Sequence, residues 1–127
     1  MPTTSEGFVT FAETLDKSTG EAALRACVSR AYYGAYHRCL EWEKQLPALG
    51  SRIGPDGGIH QQLINRLKNP APESNSVAMK SRSLAYRLVQ LKVNRVSADY
   101  HLDVLLTDAQ AESAIVNARQ LLNDYPT

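Results

Sequence analysis

The sequence is poor in cysteine and has no long apolar run. Its two cysteines, Cys27 and Cys39, lie in one predicted helix of the 127-residue chain, about 18 Å apart along the axis, which is too far for a disulfide. We expect both to be reduced and buried as small apolar side chains. No stretch approaches the roughly 18 apolar residues of a membrane span, and the N-terminus has no signal-peptide pattern. These absences predict a cytoplasmic protein that does not cross a membrane.

The motifs of several large enzyme classes are also missing. The chain has no GxGxxG, no Walker loop, no HExxH and no GxSxG. The three histidines are scattered along the chain, and the cysteines do not have zinc-ligand spacing. The sequence therefore predicts neither a metal site nor a bound cofactor.

Charge is nearly balanced overall but uneven along the chain. The net charge is +1, yet the segment from Gly57 to Ala98 contains seven bases and the single acid Glu73. Such a basic segment could face phosphate groups. It is equally typical of a solvated helix face.

Apolar periodicity predicts helices throughout, and no strand alternation is present. The predicted helices cover residues 5–16, 20–46, 59–68, 76–100 and 108–124. Apolar residues share one side of each, and in the first, second and fifth helices these are Phe8, Phe11 and Leu15; Leu24, Val28, Ala31, Ala35, Cys39, Trp42 and Leu46; and Ala111, Ile115, Ala118 and Leu122. Capping boxes mark three of the starts, at Thr3 with Glu6, Ser18 with Glu21, and Thr107 with Gln110. We predict one all-α domain over residues 1–127, an up-and-down bundle of about five helices, two of them short.

Two apolar stripes run along the fourth predicted helix. One consists of Val77, Leu84, Leu88, Leu91 and Ala98, and the other of Tyr86, Val89, Val93, Val96 and Tyr100. Two stripes predict a broad buried face, packed against several neighbouring helices or against a partner chain.

The end of this helix contains the most unusual polar residues. Arg95 has the inward phase of the first stripe, where an arginine needs a carboxylate, a carbonyl or a phosphate. Asp99, four residues on, can form an intrahelical ion pair with it. Arg95 is thus either a satisfied polar group in the core or a phosphate-binding group in a groove. In an unbroken helix His101 lies about 120° from Arg95, so the two meet only if the helix ends or kinks near Asp99 or a second chain completes the site.

The second predicted helix offers a rival polar face. Arg30, Tyr33 and His37 share one side of it, with Gly34 next to them. Glycine in a helix interior costs roughly 1 kcal/mol relative to alanine, which indicates close approach by another helix or by a ligand. Helix packing with core tyrosines is the alternative interpretation of the same residues.

The segments "AALRACVSRAYYGAYH" and "LVQLKVNRVSADYHL" together resemble the HEPN domain (higher eukaryotes and prokaryotes nucleotide-binding). The resemblance covers most of the chain, and the R–x–x–A–D–Y ending is its more specific part. It implies a helical bundle that often dimerises. Many members are metal-independent RNases of toxins, phage defence or CRISPR effectors, with four to six residues between an arginine and a histidine. Arg95 and His101 have five residues between them.

The resemblance also implies roles for individual residues. Arg95 would bind phosphate and His101 would act as acid or base, supported by Asn94, Asp99 and Tyr100. In active members a polar residue, commonly asparagine, often follows the arginine, whereas Val96 follows it here. Many members with the R–x–x–A–D–Y ending have no histidine after it.

Three functions therefore remain open. The first is a metal-independent RNase of toxin or defence type, acting as a homodimer. The second is a non-catalytic module that binds a nucleotide, RNA or a protein partner such as a small nucleotidyltransferase antitoxin. The third is a helical interaction protein without a ligand. The first predicts that His101 faces a basic cleft shared with Arg95.

Overall fold

A computed structural model describes residues 3–71 and 74–127 of the chain. Within these residues it contains five α-helices and no strand, which confirms the all-α class. They are α1 (Ser5–Thr14), α2 (Glu21–Glu43), α3 (Ile59–Lys68), α4 (Asn75–Tyr100) and α5 (Asp108–Asp124), with a short 3₁₀ helix at Lys17–Thr19. None of the described helices combines the length and the hydropathy that a membrane crossing needs.

The caps at the helix starts follow the predicted boxes only in part. At α5 the Thr107 side chain accepts from the Gln110 N–H, and the Gln110 side chain accepts from the Thr107 N–H, so that box is confirmed. The cap of α1 is Thr4, one residue after the predicted Thr3. The box predicted at Ser18 is wrong, because Gly20 precedes α2 with a φ of 126° and Ser18 instead bonds to Asp16.

Helix α2 is the centre of the bundle and contacts each of the other four α-helices. Its predicted apolar stripe is buried up to the end of the helix, at Leu24, Val28, Ala31, Ala35, Cys39 and Trp42. Cys27 and Cys39 are both free and buried, as expected. Burial raises the pKa of both thiols and keeps them protonated.

Gly34 of α2 lies directly against α1. A methyl group at Gly34 would lie 2.6 Å from Cγ2 of Val9 and 2.9 Å from the carbonyl oxygen of Ser5. The predicted close approach is thus confirmed, and the approaching element is α1, through the Val9 side chain and the Ser5 carbonyl.

Two predicted apolar faces differ from the structure. In α1 the buried face carries Val9 and Ala12, whereas Phe11 is 51% exposed, so the predicted face with Phe11 is wrong. In α4 the first stripe is buried from Leu84 onward, but the second leaves large side chains in solvent. The exposed members of the second stripe are Tyr86, Val93 and Tyr100. A single chain therefore does not bury the broad face that the two stripes predict.

Candidate functional site

Arg95 points from α4 toward α2, and its side chain is only 16% exposed. Its Nε lies 2.8 Å from Oδ2 of Asp99, and its Nη2 donates a 2.9 Å hydrogen bond to the Tyr33 hydroxyl. The ion pair predicted from the four-residue spacing is therefore present, although the Nε–H is not aligned as a hydrogen bond. Burial acts to lower the pKa of Arg95, but Tyr33, Asp99 and Tyr100 outweigh it and raise the pKa. The guanidinium stays charged.

Three tyrosine rings surround this guanidinium. Its Cζ lies 5.4 Å from the ring centre of Tyr33, 5.5 Å from that of Tyr100 and 5.8 Å from that of Tyr32. These are cation–π distances. Within the described residues Nη1 of Arg95 makes no hydrogen bond, and it is not a buried atom. Arg95 is thus held rigidly by its other groups while Nη1 is available to a ligand.

Asp99 links the arginine back to α2. Its Oδ2 accepts a 3.3 Å hydrogen bond from the hydroxyl of Ser29, a buried residue of α2. The polar chain Ser29–Asp99–Arg95–Tyr33 therefore crosses twice between α2 and α4. Each of these four side chains pairs with at least one other, which stabilises them in a mostly buried position.

The polar face predicted on α2 is part of the same cluster. Tyr33 bonds Arg95, and Cζ of the exposed Arg30 lies 5.9 Å from the Tyr33 ring centre. His37 lies on the same side, with its ring stacked 5.5 Å from Phe8 at an angle of 7°. Parts of the two polar constellations, Arg95 with Asp99 and Tyr100 on α4 and Arg30 with Tyr33 on α2, therefore adjoin each other. We call Arg30, Tyr32, Tyr33, Arg95, Asp99 and Tyr100 the Arg95 cluster.

His60 of α3 adjoins the Arg95 cluster, and the sequence interpretation missed it. Its Nδ1 lies 2.7 Å from the Tyr32 hydroxyl, and its ring centre lies 4.2 Å from that of Tyr36. Burial lowers the pKa of His60, and the positive charges of Arg95 and Lys92 and the nearby His37 lower it further. The imidazole is therefore neutral near pH 7.

One signal in the sequence places His60 inward. It shares a helical face with Leu63, Ile64 and Leu67, all of which are buried. No sequence spacing relates it to Arg95, because the two residues lie on different helices.

Asn94 and His101 do not join the Arg95 cluster. Asn94 is exposed and lines a small cavity with Arg25 and Val104. His101 caps the C-terminus of α4, directly after an unbroken helix. No hydrogen bond or ion pair joins its side chain to Arg95 within the described parts of the chain. Helix α4 ends at Tyr100, close to Asp99, but this end does not bring the two side chains into contact by a hydrogen bond or an ion pair within the described residues. A second chain is the other way in which the two residues could meet.

His101 instead borders a groove between α3 and α4. The groove has a volume of about 430 Å³. Its lining is mainly apolar, with one cation, and consists of Gln61, Ile64, Val89, Lys92, Val93, Val96, Ser97 and His101. His101 thus faces a surface with a nearby positive charge that comes from Lys92 and not from Arg95.

Arg25 of α2 holds the end of α4 in place. Its guanidinium donates hydrogen bonds to the carbonyl oxygens of Ser97 at 3.2 Å, Ala98 at 2.9 Å and His101 at 3.2 Å, and also to that of Val104. The last turn of α4 has no basic residue of its own. Arg25 therefore supplies the positive charge that favours a helix C-terminus, and it fixes the segment that carries Asp99 and Tyr100.

No family model, no curated protein and no solved structure matches the chain. The fold and the site together define an all-helical bundle with a cationic and aromatic cluster where α2, α3 and α4 meet.

Proposed function

We propose that the chain is a HEPN-type module that binds RNA or a nucleotide through a phosphate group at Arg95. The observation that carries this proposal is the state of the arginine. Its guanidinium is charged, fixed by Asp99 and Tyr33 and surrounded by three aromatic rings, and one nitrogen has no partner among the described residues.

A fixed arginine suits this role for two reasons. Guanidinium groups form strong, directional hydrogen bonds with phosphate. Ordering the side chain before the ligand arrives reduces the entropy lost on binding. Asp99 neutralises part of the charge of Arg95. The exposed Arg30 and the nearby Lys92 add positive charge that attracts a nucleic-acid backbone.

The aromatic part of the cluster suits the rest of a nucleotide. Tyr100 is 65% exposed while its ring lies against the guanidinium. An exposed ring next to a bound phosphate offers a stacking surface to a base, and stacking contributes roughly 1–3 kcal/mol per base. The ligand class that fits is single-stranded RNA or a mononucleotide.

Fluorescence anisotropy with a short labelled single-stranded RNA tests the proposal. Arg95→Met should weaken binding roughly 10- to 100-fold, which corresponds to losing one hydrogen bond from a charged group. It should also reduce the salt dependence by about one phosphate contact. Arg95→Lys keeps the charge and should have an intermediate affinity.

Arg87→Met is the matched control, since Arg87 is also on α4, pairs with Asp124 at 2.9 Å and lies 5.7 Å from the Tyr125 ring centre. Its affinity should equal that of the parent protein. Equal losses in Arg95→Met and Arg87→Met, or RNA binding unchanged by Arg95→Met in a folded protein, would contradict the proposal.

The second candidate is a metal-independent RNase whose site forms across a homodimer. Its specific support is the surface around His101. Large apolar side chains remain exposed there, at Val93, Tyr100, Leu102 and Leu105. Such a patch is typical of a surface that a second chain covers. A symmetric pairing through it would bring His101 of one copy toward Arg95 of the other.

Cleavage assays in EDTA test this candidate. His101 would remove the 2′-hydroxyl proton or protonate the leaving 5′-oxygen, and Arg95 would stabilise the charge on phosphate. Arg95→Met and His101→Ala should each abolish cleavage, and a mixture of the two should regain part of it through mixed dimers. No cleavage by the parent protein, or cleavage that survives His101→Ala, would exclude this mechanism.

A further inference from the structure

We propose that His60 is a second phosphate-binding group of the Arg95 cluster, donating a hydrogen bond from Nε2 to the same phosphate that Nη1 of Arg95 holds. The inference rests on the proposed function and adds a residue from a third helix to it. The ligand chemistry is a phosphate group, either in an RNA backbone or on a free nucleotide.

His60 and Arg95 lie against the same two tyrosines. The Tyr32 ring centre is 5.6 Å from the His60 ring centre and 5.8 Å from Cζ of Arg95. The Tyr33 ring centre is 6.2 Å from the His60 ring centre and 5.4 Å from Cζ of Arg95. The imidazole of His60 and the guanidinium of Arg95 therefore lie against the same two tyrosine rings. Each of the two groups also has polar N–H atoms.

The protonation state of His60 follows from its partner. Burial raises the pKa of Tyr32, so its hydroxyl keeps its proton. Within the described residues this hydroxyl has no partner other than Nδ1 of His60. Its proton therefore points to Nδ1, and the neutral imidazole carries its own proton on Nε2. Tyr32 is thus a positioning residue that fixes the tautomer.

The accessible side of His60 is its Nε2 atom. It makes no hydrogen bond within residues 3–71 and 74–127, and it is not a buried atom. Packing against the tyrosines alone would not require an N–H group that is accessible to a ligand. Nε2 of His60 and Nη1 of Arg95 are two accessible N–H donors on one cluster, and phosphate oxygens accept from such donors.

The charges around His60 favour an anion. Arg95 and Lys92 face it from α4, and the side chains that face it from α2 are His37, Tyr32, Tyr33 and Tyr36. The neighbours that shift its pKa most, Arg95, Lys92 and His37, are all basic residues. A bound phosphate would offset the positive charges and raise the pKa of His60. Binding of an RNA phosphodiester should therefore strengthen as the pH falls through the range in which His60 takes up its proton, a range that lies below the ordinary histidine value in the free protein.

Long-range ¹H–¹⁵N NMR of the three histidines tests the inference. The probes are inorganic phosphate, a 5′-mononucleotide and a short single-stranded RNA, each added to the parent protein, Arg87→Met and Arg95→Met. We expect ligand to shift the Nε2 signal of His60 and raise its pKa in the parent and in Arg87→Met, with both effects lost in Arg95→Met. A response to RNA alone would assign the phosphate to a nucleic-acid backbone. A response to the mononucleotide as well would show that free nucleotides also bind at this site.

Two substitutions at His60 give an independent readout. Glutamine can replace the Nε2 donor with its amide N–H, whereas leucine cannot. His60→Gln should keep RNA affinity near that of the parent, and His60→Leu should lose roughly tenfold or more. Equal affinities of the two variants would overturn the inference.

The outcomes separate this inference from the proposed function. RNA binding that depends on Arg95 but leaves the His60 signals unchanged would overturn the role of His60 alone. A His60 response that persists in Arg95→Met would overturn the shared phosphate. Absence of any Arg95-dependent binding would overturn the proposed function and the inference together.

Discussion

Replacing Arg25 by methionine removes the only guanidinium bonded to the C-terminal end of α4 in the described structure. The arginine side chain is 12% exposed and contacts four backbone carbonyls between Ser97 and Val104. A hydrogen bond from a charged group contributes about 1.5–3 kcal/mol. The four bonds share one guanidinium and some carbonyls can bind water, so we expect a total loss of about 3 kcal/mol.

Glu21→Gln separates the ion pair from the carbonyl bonds. Glu21 pairs with Arg25 but is 37% exposed, and solvent screening leaves such pairs little net effect on stability. In this variant Arg25 keeps all its carbonyl partners. The difference between the two variants therefore reports the contribution of the α4 end.

Urea unfolding measured by tryptophan fluorescence is the assay. Trp42 is the single tryptophan and is buried against Tyr125, so its emission changes on unfolding. Amide hydrogen exchange over residues 97–106 should also become faster in Arg25→Met than in Glu21→Gln. A loss below about 1 kcal/mol in Arg25→Met, or one no larger than in Glu21→Gln, would refute the reasoning.

Three further predictions concern packing, charge and pH. Gly34→Ala should lower the free energy of unfolding by about 1–3 kcal/mol despite alanine's higher helix propensity, because its methyl group would collide with Val9; an unchanged or higher stability would contradict this. Arg66→Met should lower the free energy of unfolding by about 3–5 kcal/mol, since it leaves the 5% exposed carboxylate of Glu43 without its two hydrogen bonds. The double variant with Glu43→Gln should regain part of this stability in the same urea assay. Because the pKa of His60 is lowered in the folded state, the unfolded state binds its proton first as the pH drops. The free energy of unfolding should therefore fall below about pH 6.5. The fall should be smaller in His60→Gln, and equal slopes of unfolding free energy against pH in the two proteins would argue against the shift.

Much of the fold follows from apolar spacing. The buried face of α5 is the predicted one, at Ala111, Ile115, Ala118 and Leu122. Helix boundaries agree to within about three residues, because prolines, glycines and capping residues mark them locally. The inward phase of Arg95 and its pair with Asp99 follow from position within one helix. These features depend on residues that are close in sequence.

The features that were missed depend on contacts between distant segments. His60 meets Arg95 through two tyrosines of α2, and Arg25 reaches the end of α4 from another helix. The apolar pattern of α1 places Phe11 on the buried face, but helical periodicity does not show which side of a short helix faces its neighbour, and Phe11 is exposed. The contact between Arg95 of α4 and Tyr33 of α2 also joins distant segments, because it depends on how the two helices cross.

Photo-crosslinking with 4-thiouridine RNA, followed by mass spectrometry of the linked peptides, tests the central claim most directly. If a phosphate-bearing ligand binds at the Arg95 cluster, crosslinks should map to the α2 and α4 peptides that contain Tyr33 and Tyr100. They should disappear in Arg95→Met and persist in Arg87→Met. Crosslinks confined to the α1–α5 side of the molecule, around Arg119 with its partners Glu6 and Glu13, would contradict the account.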